Sequence, residues 1–205
     1  MISTLTIDEQ APTPTPQQAA LAQFGAKFAE YQVGLTPAGI ANNYIKWQKL
    51  PKEARKRGLI FAGRARLGKS FKLFGMTLQY LEYHKFTNPE RAFRYKTAED
   101  WYWLQHDFED FDKHYDRDVL IERDKCLYAS LIIIDDLNMN MSDFKVVVFT
   151  RLINEIICQN PLVRFLVASN NTPLEIRNTQ QPGGNNELAR LWGRLLENAN
   201  LIGVE

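Results

Sequence analysis

Apolar positions along the chain follow two different rhythms. Short strand-length apolar segments occupy residues 58–62, 92–96, 131–134, 163–169 and 201–204, each too short for a helix, and the run 131–134 has no polar alternation, as expected of a strand covered on both faces. Between them the apolar residues recur at helical spacing. Residues 69–83 predict one helix. The Thr97–Asp100 capping box opens a second, through about residue 111, and Ser142 caps a third with a stripe of Phe149, Leu152, Ile153, Ile156 and Ile157. Thr172-Pro173 opens a short helix straight after the fourth strand, and residues 187–198 predict a last helix before the final strand. Strands alternating with helices indicate an α/β fold with a five-stranded, mostly parallel sheet flanked by helices.

Ahead of the first strand the pattern changes. Residues 1–16 end in a proline-rich stretch that disfavours helix and sheet, and they read as a flexible arm. Leu21, Phe24, Phe28 and Tyr31 lie at helical spacing and predict a helix over residues 17–31; residues 17–35 form a candidate partner-docking segment. Thr36-Pro37 opens a further helix to about residue 50, where the core unit of residues 36–205 begins. The charged stretch 112–125 reads as a mobile or helical surface insert.

Composition narrows the class without naming a chemistry. The 205 residues carry 25 Lys+Arg against 24 Asp+Glu, so no chain-wide basic footprint exists, although a local nucleic-acid groove remains compatible. Two cysteines, Cys126 and Cys158, make no disulfide framework and fit a reducing compartment. The first residues lack the basic and apolar regions of a signal peptide, and no apolar run approaches the ~18 residues of a membrane span. A cytoplasmic protein with no membrane partner is expected.

Chemistry enters after the first strand. Gly63-Arg64-Ala65-Arg66-Leu67-Gly68-Lys69-Ser70 fits the phosphate-loop pattern, with a strand before it and a helix, starting at Lys69-Ser70-Phe71, after it. Glycines at the two fixed positions permit tight turns and close backbone approach. The amides of residues 66–70 face a β-phosphate at a helix N-terminus. Lys69 reaches the β- and γ-phosphates, and Ser70 offers its hydroxyl to Mg²⁺. These residues predict ATP and Mg²⁺ as cofactors.

Such a loop needs a second Mg²⁺ anchor at a neighbouring strand end. The run of residues 131–134 delivers Asp135 and Asp136 there: Asp135 is assigned to the Mg²⁺ water shell and Asp136 to the attacking water. The next strand ends in Ser169-Asn170-Asn171, and Asn170 is placed to hold water between the γ-phosphate and Asp136.

The order of these elements, with the segments around residues 58–70, 93–105, 131–137, 167–171 and 187–204, resembles the AAA+ ATPases, and within them the DnaC/IstB group of helicase loaders and transposition helper ATPases. The resemblance implies that Arg190 and Arg194, four apart on one helix, are an arginine pair near nucleotide. Arg194 looks like a finger acting on a neighbouring subunit's γ-phosphate and Arg190 like its companion, which implies a homo-oligomer joined through ATP. Arg66 stands where many relatives have Gly, and Asp136 where many AAA+ proteins have Glu. The chain ends at Glu205, so no C-terminal helical lid is expected. Weak ATP hydrolysis and a switch-like role follow.

The resemblance implies an ATP-dependent loader acting on a DnaB-type replicative helicase and single-stranded DNA. A transposition helper ATPase and a nucleotide-gated adaptor with negligible turnover stand as alternatives. The basic residues Lys52, Arg55, Lys56 and Arg57 read as a solvated face more readily than a DNA contact. Phe93, Tyr95, Trp101, Tyr102 and Trp103 read as core more readily than as base-stacking groups. His84, His106 and His114 lack partners at ligand spacing, and no zinc site is expected.

Overall fold

Among the described residues all four strand pairings are parallel, and the strands lie side by side in the order 93–97, 131–137, 164–169, 58–62 and 199–203. The structure is a computed structural model that describes residues 13–29, 47, 49, 56–110, 116–138, 140–181 and 186–204. The strands are β1 (Gly58–Ala62), β2 (Phe93–Thr97), β3 (Leu131–Leu137), β4 (Arg164–Ser169) and β5 (Ala199–Gly203). Helices α1 (Pro16–Phe24), α2 (Lys69–His84), α3 (Pro89–Ala92), α4 (Ala98–Glu109), α5 (Arg117–Leu127), α6 (Asp143–Gln159), α7 (Pro173–Asn178) and α8 (Asn186–Asn198) connect and cover them.

Strand alternation divides the core into two layers. Ile60, Ala62, Ile132, Ile134, Phe165 and Val167 face one way and are covered by α4, α6 and α8 through Trp101, Phe149, Leu152, Ile153, Trp192 and Leu195. Leu59, Phe61, Leu131, Ile133, Leu166 and Ala168 face the other way and are covered by α1 and α2 through Phe24, Leu73, Phe74 and Leu81. Both faces are dry, which is why these strands read as continuous apolar runs. At the carboxyl ends β4 lies between β3 and β1, so the loops after all three open on the same edge. Strand order reverses there, the position where open α/β sheets bind ligands.

The expected caps are formed. Asp100 N donates to Thr97 Oγ1 at 3.1 Å and Thr97 N to Asp100 Oδ2 at 3.3 Å, closing the box ahead of α4. Thr172 and Glu175 make the same pair ahead of α7, and Ser142 Oγ accepts from Lys145 N at 3.4 Å.

Differences lie in boundaries. The first helix ends at Phe24, not near residue 31, because Gly25 adopts φ 94 and breaks the ladder; a 3-10 turn, Ala26–Phe28, follows. It also begins within the proline-rich stretch, with Thr15 as N-cap boxed to Gln18 and Pro16 at the first position. Four-residue α3 is not among the predicted elements, being too short to carry a helical period, and it takes Ala92 from the start of the strand expected over residues 92–96. The charged insert contains α5, capped by Asp116. Most of residues 1–16 and of the helix expected over 36–50, together with Tyr31, Lys52, Arg55 and His114, lie outside the described residues. Of the remaining basic residues, Lys56 donates through Nζ to Leu196 O near the end of α8, and Asn200 Oδ1 accepts from its N–H. The aromatic residues Phe93, Trp101 and Tyr102 are core, whereas Trp103 is exposed and bonded to Glu99.

Gly63 shows how β5 locks onto the loop. Val204 N donates to Ala62 O at 2.8 Å, which brings the Val204 carbonyl to 2.2 Å from where a Gly63 Cβ would stand. Gly63→Ala is expected to lower stability by about 1–3 kcal/mol, the range for overpacking a tight site. Denaturant unfolding followed by circular dichroism measures it.

Candidate functional site: a phosphate loop at the carboxyl edge of the sheet

The loop between β1 and α2 wraps a lysine that is itself nearly buried. Lys69 is 6% exposed, and its Nζ donates to Gly63 O at 3.0 Å and Arg64 O at 2.5 Å. Burial holds its ammonium below the ordinary lysine range, with Asp136 and then Asp135 acting in the opposite direction and Lys72 in the same one. Gly68 is left-handed at φ 68, and its carbonyl accepts the first bond of α2 from Lys72 N at 3.0 Å. Arg66 is left-handed too, at φ 67, a conformation costing a side-chain-bearing residue about 1–2 kcal/mol. Glycine at this position would carry no such strain.

The acidic strand end lies opposite. Asp135 is only 2% exposed, and both its oxygens are engaged: Oδ1 accepts from Asp136 N at 2.9 Å and Oδ2 from the Tyr95 hydroxyl at 3.0 Å. Burial, and then the two neighbouring carboxylates, keep that phenol protonated well above its ordinary range. Asp136 adopts φ 55 where the β3–β4 register shifts between Ile134 and Leu137, so it leaves the ladder and is exposed. Asn170 Nδ2 donates to Asp136 Oδ1 at 3.3 Å, and Gly63 N donates to Ser169 O at 3.3 Å, tying the β4 end to both of its neighbours.

A cavity of about 340 Å³ is lined by Ala65, Arg66, Gly68, Lys69, Ser70, Phe71, Asp135, Asp136 and Asn170, with Lys27 and Phe28 closing one side. The geometry therefore brings together Lys69, Ser70, Asp135, Asp136 and Asn170. Arg64 is exposed, and half-buried Leu67 packs on the α1–α2 core layer, so neither lines the cavity. Arg190 and Arg194 stand apart on α8, 68% and 53% exposed, paired with Glu187 at 2.6 Å and Glu197 at 3.1 Å.

The donor set suits a hard divalent cation. A hydroxyl from Ser70 and the oxygens of Asp135 and Asp136 share one cavity with a lysine, the chemistry required for Mg²⁺ beside phosphate. Two contributors escaped the sequence reading. Tyr95 looked like core, but once β2 and β3 are in register, with Tyr95 opposite Ile133, it is the diagonal same-face neighbour of Asp135. Lys27 and Phe28 come from the segment beyond Gly25, and no local motif announces them.

The fold is similar to that of solved replication proteins. A DnaC helicase loader matches at 17% identity over 97% of this chain and 95% of its own, with a TM-score of 0.53. Domain III of the Thermotoga maritima replication initiation protein DnaA matches at 18% identity over 84% of this chain, with a TM-score of 0.55; the match spans 65% of that domain. Replication initiator DnaA bound to AMPPCP and single-stranded DNA matches at 15% identity over 89% of this chain and 51% of its own, with a TM-score of 0.56. No protein-family model and no curated protein sequence matches the chain. Among the described residues no helix is long and apolar enough to cross a membrane.

The left-handed Arg66 makes the loop a sensitive reporter of strain. Arg66→Val, β-branched at φ 67, is expected to lower stability by about 1–2 kcal/mol. Arg66→Gly is expected to leave stability within about 0.5 kcal/mol of the parent, because relief of strain offsets the added chain entropy. Thermal unfolding of the two variants side by side distinguishes them.

Proposed function

We propose that the protein binds ATP with Mg²⁺ at the loop of residues 63–71, hydrolyses it slowly, and acts as a helicase loader on single-stranded DNA. The observation that carries the reading is the convergence of Lys69, Ser70, Asp135, Asp136 and Asn170 on one cavity at the end of three adjacent parallel strands. Backbone amides at the start of α2 receive the β-phosphate, and the Lys69 ammonium exchanges its two carbonyl partners for β- and γ-phosphate oxygens. Ser70 and Asp135 would hold the Mg²⁺ shell, and the ion would supply charge neutralisation for the phosphates. Asp136 takes the proton of the attacking water, and Asn170, bonded to Asp136, orients that water.

Arg194, standing outside its own subunit's cavity, completes the site of another copy, with Arg190 beside it. Nucleotide then bridges subunits and governs their assembly. The DnaC and DnaA likenesses support the replication role and the choice of a DnaB-type helicase and single-stranded DNA as partners. Residues 17–35 are the proposed docking segment for the protein partner.

Lys69→Ala is expected to weaken ATP binding about 10–100-fold, the loss of charge-assisted bonds to phosphate, measured with a fluorescent ATP analogue. Unchanged binding removes the phosphate-loop assignment. Arg194→Ala is expected to bind ATP normally and to lose hydrolysis on the order of 10³-fold. Mixing it with Lys69→Ala restores part of the hydrolysis, because one variant supplies nucleotide and the other the arginine; no restoration removes the action in trans. Stimulation by single- rather than double-stranded DNA, and capture of a helicase rather than a transposase, support loading. The opposite results favour a transposition helper.

A further inference from the structure

A chain of contacts leads from the N-terminal helix to the buried carboxylate. Gln23 of α1 clamps the edge strand: its Nε2 donates to Phe93 O at 3.2 Å and its Oε1 accepts from Tyr95 N at 3.0 Å. The amide thereby serves β2 on its open side as another strand would. One residue on, the Phe24 ring stacks on Tyr95, with centroids 3.9 Å apart and planes 24° from parallel. Phe24 also meets Phe28 and Phe74 edge-on at 5.4 and 5.2 Å, which fixes its own position. At the far end of the phenol, the hydroxyl donates to Asp135 Oδ2.

Asp135 has two oxygens, and the main chain holds only Oδ1. Without the second bond the carboxylate is free to turn about its bond to Cβ, and the lone pairs meant for the Mg²⁺ shell lose their direction. We propose that Tyr95 is the positioning residue for Asp135, and that the N-terminal segment, through the Phe24 stack and the Gln23 clamp, holds Tyr95 in place. The segment that carries Lys27 and Phe28 to the cavity thus also sets the geometry of the carboxylate opposite. Anything that lifts α1 from the sheet loosens the metal end of the site. The proposal rests on the ATP–Mg²⁺ reading above and adds a control point to it.

The test is a titration of Mg²⁺ against binding of a fluorescent ATP analogue to the full chain, with a parallel measurement in EDTA. Tyr95→Phe keeps the ring and its stack and removes only the hydroxyl. Its affinity in EDTA is expected to stay within about twofold of the parent, while the Mg²⁺ concentration for half-maximal enhancement rises about 5–10-fold, within the net worth of one ordinary intramolecular hydrogen bond. Phe24→Leu is expected to shift the same midpoint about 2–3-fold, and to add nothing in the Tyr95→Phe background, because both act through one bond. A parental Mg²⁺ midpoint in Tyr95→Phe overturns the positioning role. Equal loss in EDTA and in Mg²⁺ overturns it too, since the hydroxyl would then be supporting the fold. Additive effects in the double variant overturn the coupling through α1. If the unmodified chain binds no nucleotide under either condition, the ATP reading itself falls, an outcome distinct from all of these.

Discussion

The structure depends on keeping an ammonium and a carboxylate out of water at the same edge of one sheet. Lys69 and Asp135 are 6% and 2% exposed, and taking a charged group out of water is costly unless it is partnered. Each is stabilised locally, Lys69 by two loop carbonyls and Asp135 by a backbone amide and a phenol. They also stabilise one another, since the carboxylates oppose the lowering of the Lys69 pKa. The phenol comes from β2 and the two carbonyls from the loop ahead of α2, so only the Asp136 amide is local to its strand; Lys69 and Asp135 themselves lie on different elements. They meet only if β3, β4 and β1 are adjacent, parallel and in register, which the dry layers on both faces enforce. Charge burial and sheet order are therefore one constraint seen at two scales.

That constraint explains what the chain's pattern made readable. Strands packed on both faces must be apolar nearly throughout, so β1, β3 and β4 stood out; helices that open with Thr or Ser must satisfy their first amides, so Thr97, Ser142 and Thr172 marked them. The loop of residues 63–70 and the acidic strand end that share one cavity were legible because backbone approach and charge leave few residue choices. What escaped has no local signature. Gly25 stops α1 through a positive φ that sequence records only as one more glycine. Tyr95 is indistinguishable from core until the register sets it diagonal to Asp135. For Arg190 and Arg194 the spacing was visible, but their place outside the cavity is a property of packing.

The edge strand adds a second lesson. Among the described residues β2 pairs with β3 on one side only, and an open edge is a site for unwanted pairing. Here the Gln23 side chain occupies two of its backbone groups, and Phe24 covers the face beside them. Protection of the edge and support of the site thus come from neighbouring residues of one helix. A sequence reading that treats this helix as an appendage misses that it shares a core layer with β1, β2 and α2.

The two consecutive aspartates show why irregular backbone belongs where the chemistry is. In an unbroken strand their side chains would alternate across the sheet, a geometry fixed by the pleat. The register shift between Ile134 and Leu137 frees Asp136 from that rule, and its φ of 55 turns it toward the β4 end, where Asn170 meets it. Asp135, still in the ladder opposite Thr97, keeps its carboxylate on the face that carries Tyr95. One bulge thus separates two identical groups into different surroundings, one dry and doubly bonded, the other exposed. The left-handed conformation also bears on side-chain identity, because Asp tolerates it better than most residues through short-range polar contacts of its own. A longer acid would reach farther but lose that accommodation, so the Asp at this position is matched to the backbone it occupies.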